Sequence, residues 1–237
     1  MRNFKILVAG LYVSISARGE LTYDICRPYL TDRPWSDITL YATPAQIAAK
    51  KKAMPMPLTD EQAECIVLSD LLSLKLLPHD AFLLHAAVIQ HEGRCYAFCA
   101  PRGVGKTTHV QQWMRTYGAD RVTVINGDKP IIRRDKNGRF FAYGTPWCGK
   151  EQQGIPAGAA LDCITFIKQG TTDQMYTVTE REYLDLLIGQ VVFPADERSM
   201  TRGAALLADF MRATPAASAA CTMTEHAAKT VYGFWNS

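Results

Sequence analysis

Long hydrophobic runs are missing from this sequence of 237 residues. No stretch approaches the roughly eighteen consecutive apolar residues that a membrane-crossing helix needs, so we expect no membrane-spanning helix and no membrane partner. The opening residues superficially mimic a signal peptide, but their apolar run is short and is interrupted by Ser14 and Ser16. Because residues 4–17 alternate as a strand does, they predict a β-strand or hairpin arm.

An excess of charge of one sign is also missing, since 26 Lys and Arg stand against 23 Asp and Glu. A net charge of +3 is too small to favour nucleic acid as a partner. The seven cysteines form no Cys-x-x-Cys pair, so a zinc site has little support. Several of them sit in apolar runs, which favours reduced thiols in a cytoplasmic protein.

What the sequence does contain is ordinary for a globular protein, with 48% hydrophobic and 21% charged residues and no internal repeat. We expect two parts. Residues 1–77 predict a small N-terminal α/β subdomain, with a second strand at 37–43 and two helices that begin after Thr43 and Thr59. Residues 78–237 predict a nucleotide-binding core that ends in C-terminal helices.

One stretch organises the second part: a strand that ends at Cys99, a glycine-bearing turn, and a helix from about Thr107. A strand, a turn that closes in Gly-Lys-Thr and a helix start are typical of a phosphate-binding loop. Gly103 and Gly105 allow the backbone N–H groups to curl towards an anion. The predicted nucleotide-binding residues are Ala100, Pro101, Arg102, Gly103, Val104, Gly105, Lys106, Thr107 and Thr108.

The turn departs from the usual pattern at its start. Ala100 stands where the pattern has glycine, and Pro101 contributes no N–H. Lys106 would still reach the β- and γ-phosphates, and the Thr107 hydroxyl would bind Mg²⁺. The alternative interpretation is a plain strand-turn-helix connection with a solvated lysine.

Four polar features accompany this stretch. His85 lies near the centre of a predicted strand over 82–90, and Asp128 follows the strand that begins at 121. The hairpin 130–143, with Arg133 and Arg134, turns at Asn-Gly, and a loop over 144–151 follows it. Further on we expect a strand over 161–168, helices from Thr179 and an alanine-rich linker or turn over 213–220. His109, in the first turn of the helix after the glycines, would face solvent or the site.

The order of these motifs resembles the C-terminal domain of HPr serine kinase/phosphorylase over residues 80–170, and more closely the stand-alone HPr-kinase-related proteins of bacteria. That domain shares its nucleotide-binding core with ATP-dependent phosphoenolpyruvate carboxykinase. The resemblance implies an α/β fold with a mixed-sheet P-loop core, and a homo-oligomer. Some such proteins phosphorylate a serine on ribosomally made peptides.

The resemblance also implies roles for individual residues. His85 matches a histidine near the transferring phosphate, and Asp128 matches one of two adjacent aspartates that act as base or metal neighbour. Lys129 stands where the second aspartate would be, so we expect Glu151 to be a metal ligand beside Thr107 and Asp128. Lys150 would take the place of a phosphate-clamping arginine, as a third catalytic residue with Asp128 and His85.

These features predict a phosphotransferase that uses Mg²⁺ and ATP, or another nucleoside triphosphate. Its acceptor would be a Ser or Thr hydroxyl on a peptide or small protein, or a small molecule. The alternative is a catalytically inactive nucleotide sensor or peptide-binding module, which the departures at Ala100 and Lys129 favour. A carboxykinase has less support, because no further basic cluster is evident for a dicarboxylate.

Overall fold

The computed structural model describes residues 1–101 and 103–237, and it shows a mixed α/β chain. The strands in this part of the chain are β1 (Arg2–Val8), β2 (Leu11–Ala17), β3 (Ile38–Tyr41), β4 (Ala81–Leu83), β5 (Ala86–His91), β6 (Arg94–Cys99), β7 (Val122–Asn126), β8 (Ile131–Arg134), β9 (Phe140–Tyr143), β10 (Gly158–Ala160), β11 (Cys163–Gln169), β12 (Gln174–Thr177) and β13 (Ala216–Cys221). The helices are α1 (Glu20–Cys26), α2 (Pro44–Ala53), α3 (Asp60–Leu76), α4 (Lys106–Tyr117), α5 (Glu180–Ile188), α6 (Glu197–Ala213) and α7 (Glu225–Asn236).

The N-terminal residues form a three-stranded sheet in the order β1-β2-β3, covered by helices. The predicted hairpin is confirmed, since β1 and β2 pair antiparallel from Arg2 to Ala17. Helices α2 and α3 begin where predicted, because the side chains of Thr43 and Thr59 each accept a hydrogen bond from the backbone N–H three residues on. Each threonine satisfies an N–H group that the helix itself leaves without a partner.

A six-stranded mixed sheet, in the order β12-β13-β11-β6-β5-β7, forms the centre of the molecule. Strand β6 pairs parallel with β11 and antiparallel with β5. Along β6, Cys95, Ala97 and Cys99 pack into the core on one face, while Tyr96 and Phe98 pack on the other. A strand that is buried on both faces reads as a continuous apolar run, and this explains the sequence pattern there.

Two different layers cover this central sheet. Helices α4 and α7 pack on one face, through side chains such as Val110, Trp113 and Val231. The other face packs against α5, α6 and a four-stranded antiparallel sheet in the order β10-β9-β8-β4. The predicted hairpin over 130–143 is confirmed as β8 and β9.

Two predicted elements were wrong. The strand expected over 82–90 is split into β4 and β5, and Leu84 and His85 lie at the break, where β4 and β5 join different sheets. The alanine-rich stretch expected as a linker over 213–220 contains β13, which lies inside the central sheet between β11 and β12. Small side chains fit there because Ala217 and Ala219 are fully buried beneath α7 and α4.

The N-terminal hydrophobic cluster extends beyond residue 77. It combines side chains from β1 to α3 with Ala81, Leu83, Ile131 and Trp147. The Trp147 indole is buried and donates a hydrogen bond to the Cys65 carbonyl at 2.9 Å. Four residues from beyond position 77 therefore belong to the N-terminal cluster, while two other clusters form the core around the central sheet.

Within residues 1–101 and 103–237, no helix is long and apolar enough to cross a bilayer. All seven cysteines are free thiols. Burial raises the pKa of the Cys95 and Cys99 thiols to about 12. Such thiols stay protonated and pack as small apolar groups.

Candidate active site

Several strand ends converge at one edge of the central sheet. The carboxyl ends of β6, β11 and β13 meet there because these strands are parallel. Strand β7 also ends at this edge and β5 begins there, since β5 is antiparallel to both β6 and β7. Open α/β sheets bind ligands at such an edge, and the predicted site residues follow or precede these strands.

Residues 100–105, which we call the glycine turn, connect β6 to α4. Gly103 and Gly105 have φ angles of +84° and +119°, and Gly105 is the N-cap of α4. A Cβ atom at Gly103 would meet no atom within 4 Å. Glycine is therefore required at this position by the backbone angle and not by a lack of space.

The Lys106 side chain folds back over the glycine turn. Its ammonium group donates to the Ala100 carbonyl at 3.0 Å and lies 2.9 Å from Nε2 of His85. Only 8% of the residue is exposed. The interpretation of a solvated lysine is therefore wrong, because Lys106 is enclosed by polar groups at the N-terminus of α4.

Backbone hydrogen bonds bring His85 and Asp128 together. The Leu84 and Ala86 N–H groups donate to the carbonyls of Pro130 and Asp128 at 3.1 and 3.0 Å. Oδ1 of Asp128 lies 3.3 Å from Nε2 of His85. The break between β4 and β5 thus positions the imidazole between a lysine and a carboxylate.

Asn126 fixes the turn that carries Asp128, a role that the sequence did not reveal. Its buried side chain accepts hydrogen bonds from the backbone N–H groups of Asp128 and Lys129 at 2.9 and 2.7 Å. Its amide donates to the Thr145 carbonyl at 3.1 Å. Asparagine in a polar turn was the available signal, since its side chain commonly bonds the backbone two residues on.

His85 presents one nitrogen to two partners. If the ring is neutral and Nε2 is unprotonated, it accepts from the Lys106 ammonium; if Nε2 carries a proton, it donates to Asp128. A single nitrogen cannot do both at once. The Lys106–His85–Asp128 cluster can therefore redistribute its hydrogen bonds when Lys106 moves.

Burial and charge oppose each other on the two charged members of the cluster. Burial lowers the pKa of Lys106, and the nearby Asp128 carboxylate only partly offsets this effect. Burial acts to raise the pKa of Asp128, but the hydrogen bond and charge of His85, with Lys129 and Lys106, lower it overall. Asp128 is therefore a carboxylate at neutral pH.

Two of the three predicted metal ligands belong to the Lys106–His85–Asp128 cluster or adjoin it in sequence. Thr107 lies half-buried in the first turn of α4, next to Lys106, and Asp128 is half-buried beside His85. A hydroxyl and a carboxylate are the oxygen donors that Mg²⁺ prefers, so these two residues fit. In the described part of the chain, no group of three His, Cys, Asp or Glu side chains is arranged to hold a metal ion.

The loop over 144–151 packs beside Asp128 and leaves its last residues in solvent. A Cβ atom on Gly149 would lie 3.4 Å from the Asp128 Cβ, and Cys148 packs closely against Gly127. Lys150 and Glu151 follow in an exposed turn. Their predicted roles as phosphate clamp and metal ligand remain predictions.

Lys129 points away from the cluster. Its amine donates to the Ser69 hydroxyl on α3 at 3.3 Å. Lys129 therefore joins the N-terminal helices to the site turn, and it acts on the cluster through its charge, which helps to lower the pKa of Asp128.

His109 does not face the site or solvent, contrary to expectation. It is 3% exposed, packs against Phe98, and accepts a hydrogen bond from the Trp113 indole at 3.0 Å. Its place on α4 points it into the core. Burial lowers its pKa to about 4.

The remaining predicted nucleotide-binding residues belong to the glycine turn or follow it in α4. Pro101 and Gly103 are exposed, and Val104 and Thr108 are half-buried. The Val104 N–H donates to the Pro101 carbonyl at 3.3 Å. Arg102 lies outside the described residues.

Comparison with known proteins gives distant structural likenesses. No family model matches the chain, and no curated protein matches it. Solved structures that match include the Hpr(Ser) kinase/phosphatase from Coxiella burnetii, at 9% sequence identity and a TM-score of 0.30, over 55% of this chain and 87% of that one. A likeness of this size assigns neither a family nor a function to the chain.

Proposed function

We propose that this protein is a phosphotransferase that moves the γ-phosphoryl group of Mg-ATP to a hydroxyl. The observation that carries the proposal is the Lys106–His85–Asp128 cluster at the mouth of the glycine turn. It combines a cation for phosphate, a carboxylate that is ionised at neutral pH and an imidazole between them, at the positive end of a helix.

Phosphate binding would replace the internal contacts of Lys106. The ammonium group leaves the Ala100 carbonyl and His85 and donates to the β- and γ-phosphate oxygens, where it neutralises charge. Once Lys106 has left, the ring proton of His85 can move from Nδ1 to Nε2, and Nε2 then donates to Asp128. The same movement that binds the nucleotide therefore orients the carboxylate.

Transfer would follow with Asp128 as the proton acceptor. The acceptor oxygen forms a bond to the γ-phosphorus, the bond from that phosphorus to the β,γ-bridging oxygen breaks, and ADP leaves with the electron pair. The hydroxyl proton passes to the Asp128 carboxylate. Thr107 would hold the Mg²⁺ ion, which neutralises phosphate charge when bound, and in the alternative arrangement Asp128 would hold the metal instead of accepting the proton.

The acceptor would be a Ser or Thr side chain on a peptide or small protein, or a small molecule. A nucleotide sensor without transfer is the second candidate. Lys129 favours the sensor, because it stands where the resemblance has a second aspartate and its amine contacts Ser69. Asp128 is then the carboxylate in contact with His85.

Transfer from γ-labelled ATP to peptides and small proteins encoded in the same operon tests the proposal. Asp128→Asn keeps the shape of the side chain but removes the proton acceptor, so we expect transfer to fall by about 100-fold or more. Asp120→Asn, at an exposed position after α4, is the matched control and should keep the wild-type rate. ATP binding with no transfer to any acceptor would favour the sensor, and unchanged transfer by Asp128→Asn would contradict the mechanism.

A further inference from the structure

A groove lies beside the glycine turn, on the side away from His85 and Asp128. It is lined by Pro101, Gly103 and Val104 from the turn and by Ile167, Lys168 and Gln169 from the end of β11, and it is a shallow, open depression of about 360 Å³. Small-molecule sites begin at about 300 Å³, so the groove has room for a flat heterocycle.

The order of the strands places the groove relative to the cluster. Strand β6, which leads into the glycine turn, lies between β5 and β11. His85 precedes β5 and Asp128 follows β7, whereas Gln169 ends β11. If the γ-phosphate lies at Lys106, on the side of His85 and Asp128, the base at the other end of the nucleotide would extend towards β11.

The walls of the groove suit a planar ring. Ile167 is 5% exposed and belongs to the core beneath, and Val104 is half-buried against the same core. Gly103 adds no side chain to the groove. Lys168 is drawn aside, with its ammonium group 4.7 Å from the centre of the Tyr176 ring. The groove thus has an apolar floor and an open entrance.

Gln169 supplies a hydrogen-bonding edge. Its side-chain amide donates to the Val104 carbonyl at 3.4 Å, a long contact that costs little to release. A glutamine amide pairs with adenine by donating to N7 and accepting from N6–H₂. Guanine offers acceptors at both N7 and O6, so one amide cannot satisfy both of them.

We propose that this groove binds the adenine base of the nucleotide, with Gln169 as the residue that selects adenine. The inference rests on the function proposed above, since it requires the phosphates to lie in the glycine turn.

Titration calorimetry with Mg-ATP, Mg-GTP and magnesium tripolyphosphate tests this assignment. Wild-type protein should bind ATP about 10-fold more tightly than GTP or tripolyphosphate. Gln169→Leu removes the amide at nearly constant volume and charge. The affinity for ATP should therefore fall to that for GTP, while the affinity for tripolyphosphate stays unchanged. Gln174→Leu, on the edge strand β12 and outside the groove, is the control and should behave as wild type.

The failures of the two proposals are distinguishable. If tripolyphosphate and ATP bind equally tightly, or if Gln169→Leu leaves the preference for ATP intact, the base site is overturned and the phosphate site stands. If wild-type protein binds neither ATP nor tripolyphosphate, the proposed function fails, and the base site fails with it.

Discussion

His109 shows how burial, only partly offset by the charge of Asp173, lowers the pKa of a single residue. The unfolded chain takes up a proton on this imidazole near pH 6.5, whereas the folded protein resists protonation until about pH 4, because the ring is desolvated. Acid therefore favours the unfolded state. The stability that neutral His109 provides is present above pH 6.5 and is lost as the pH falls towards 4.

Urea unfolding at pH 7 and pH 5, without nucleotide or metal, measures this effect. Between these two values the wild-type free energy of unfolding should fall by about 2 kcal/mol more than that of His109→Gln. His226→Gln, at a side chain that is 73% exposed, serves as the control and should keep most of the wild-type pH dependence. If the unfolding free energy changes equally between pH 7 and pH 5 in wild type and His109→Gln, the imidazole is not buried in its neutral form.

At the scale of elements, local signals predicted helix starts well and strand positions less well. Thr43, Thr59 and Thr179 were readable because an N-cap depends on residues three positions apart. Strand β13 was missed because alanine has low strand propensity, and only the neighbours β11 and β12 make it a strand.

The residues of the site also differ in how well the sequence predicted their positions. The resemblance based on the order of the motifs implied that Lys106, His85 and Asp128 would lie around one phosphate. The direction of Lys129 depends on α3, which no local pattern reveals. His109, in contrast, shares a helical face with Val110 and Trp113, and this spacing was an overlooked signal of burial.

A proline tests whether β13 is a structural strand. Ser218 lies opposite Phe166 of β11 and Tyr176 of β12, so Ser218→Pro removes a hydrogen-bond donor from the interior of the sheet. We expect a loss of about 3 kcal/mol or more in unfolding free energy. Lys136→Pro, in the turn between β8 and β9, should cost far less. If chemical denaturation shows a similar loss of unfolding free energy for both variants, residues 213–220 act as a linker and not as a strand of the sheet.

At the scale of the whole molecule, Trp147 links the N-terminal cluster to the site. Its ring packs with residues of β1 to α3, and its neighbour Cys148 packs against Gly127 beside Asp128. Because the hydrophobic core crosses residue 77, the two parts of the chain should unfold together.

Trp147→Ala should lower the free energy of unfolding by about 3–5 kcal/mol, while Trp147→Phe should lose clearly less. In the wild-type protein, circular dichroism and fluorescence should report one coincident urea transition. Two separate transitions, or a Trp147→Ala variant as stable as the wild type, would mean that the N-terminal residues fold independently of the site.

The central claim is that the glycine turn and Lys106 bind a triphosphate, and calorimetric titration with Mg-ATP tests it most directly. Lys106→Ala should weaken binding by about 10-fold or more, since it removes a charge-assisted contact. Lys129→Ala removes a lysine near Asp128 whose amine points to Ser69, and it should bind as wild type does. Equal affinity for Mg-ATP in wild type and Lys106→Ala would contradict the account.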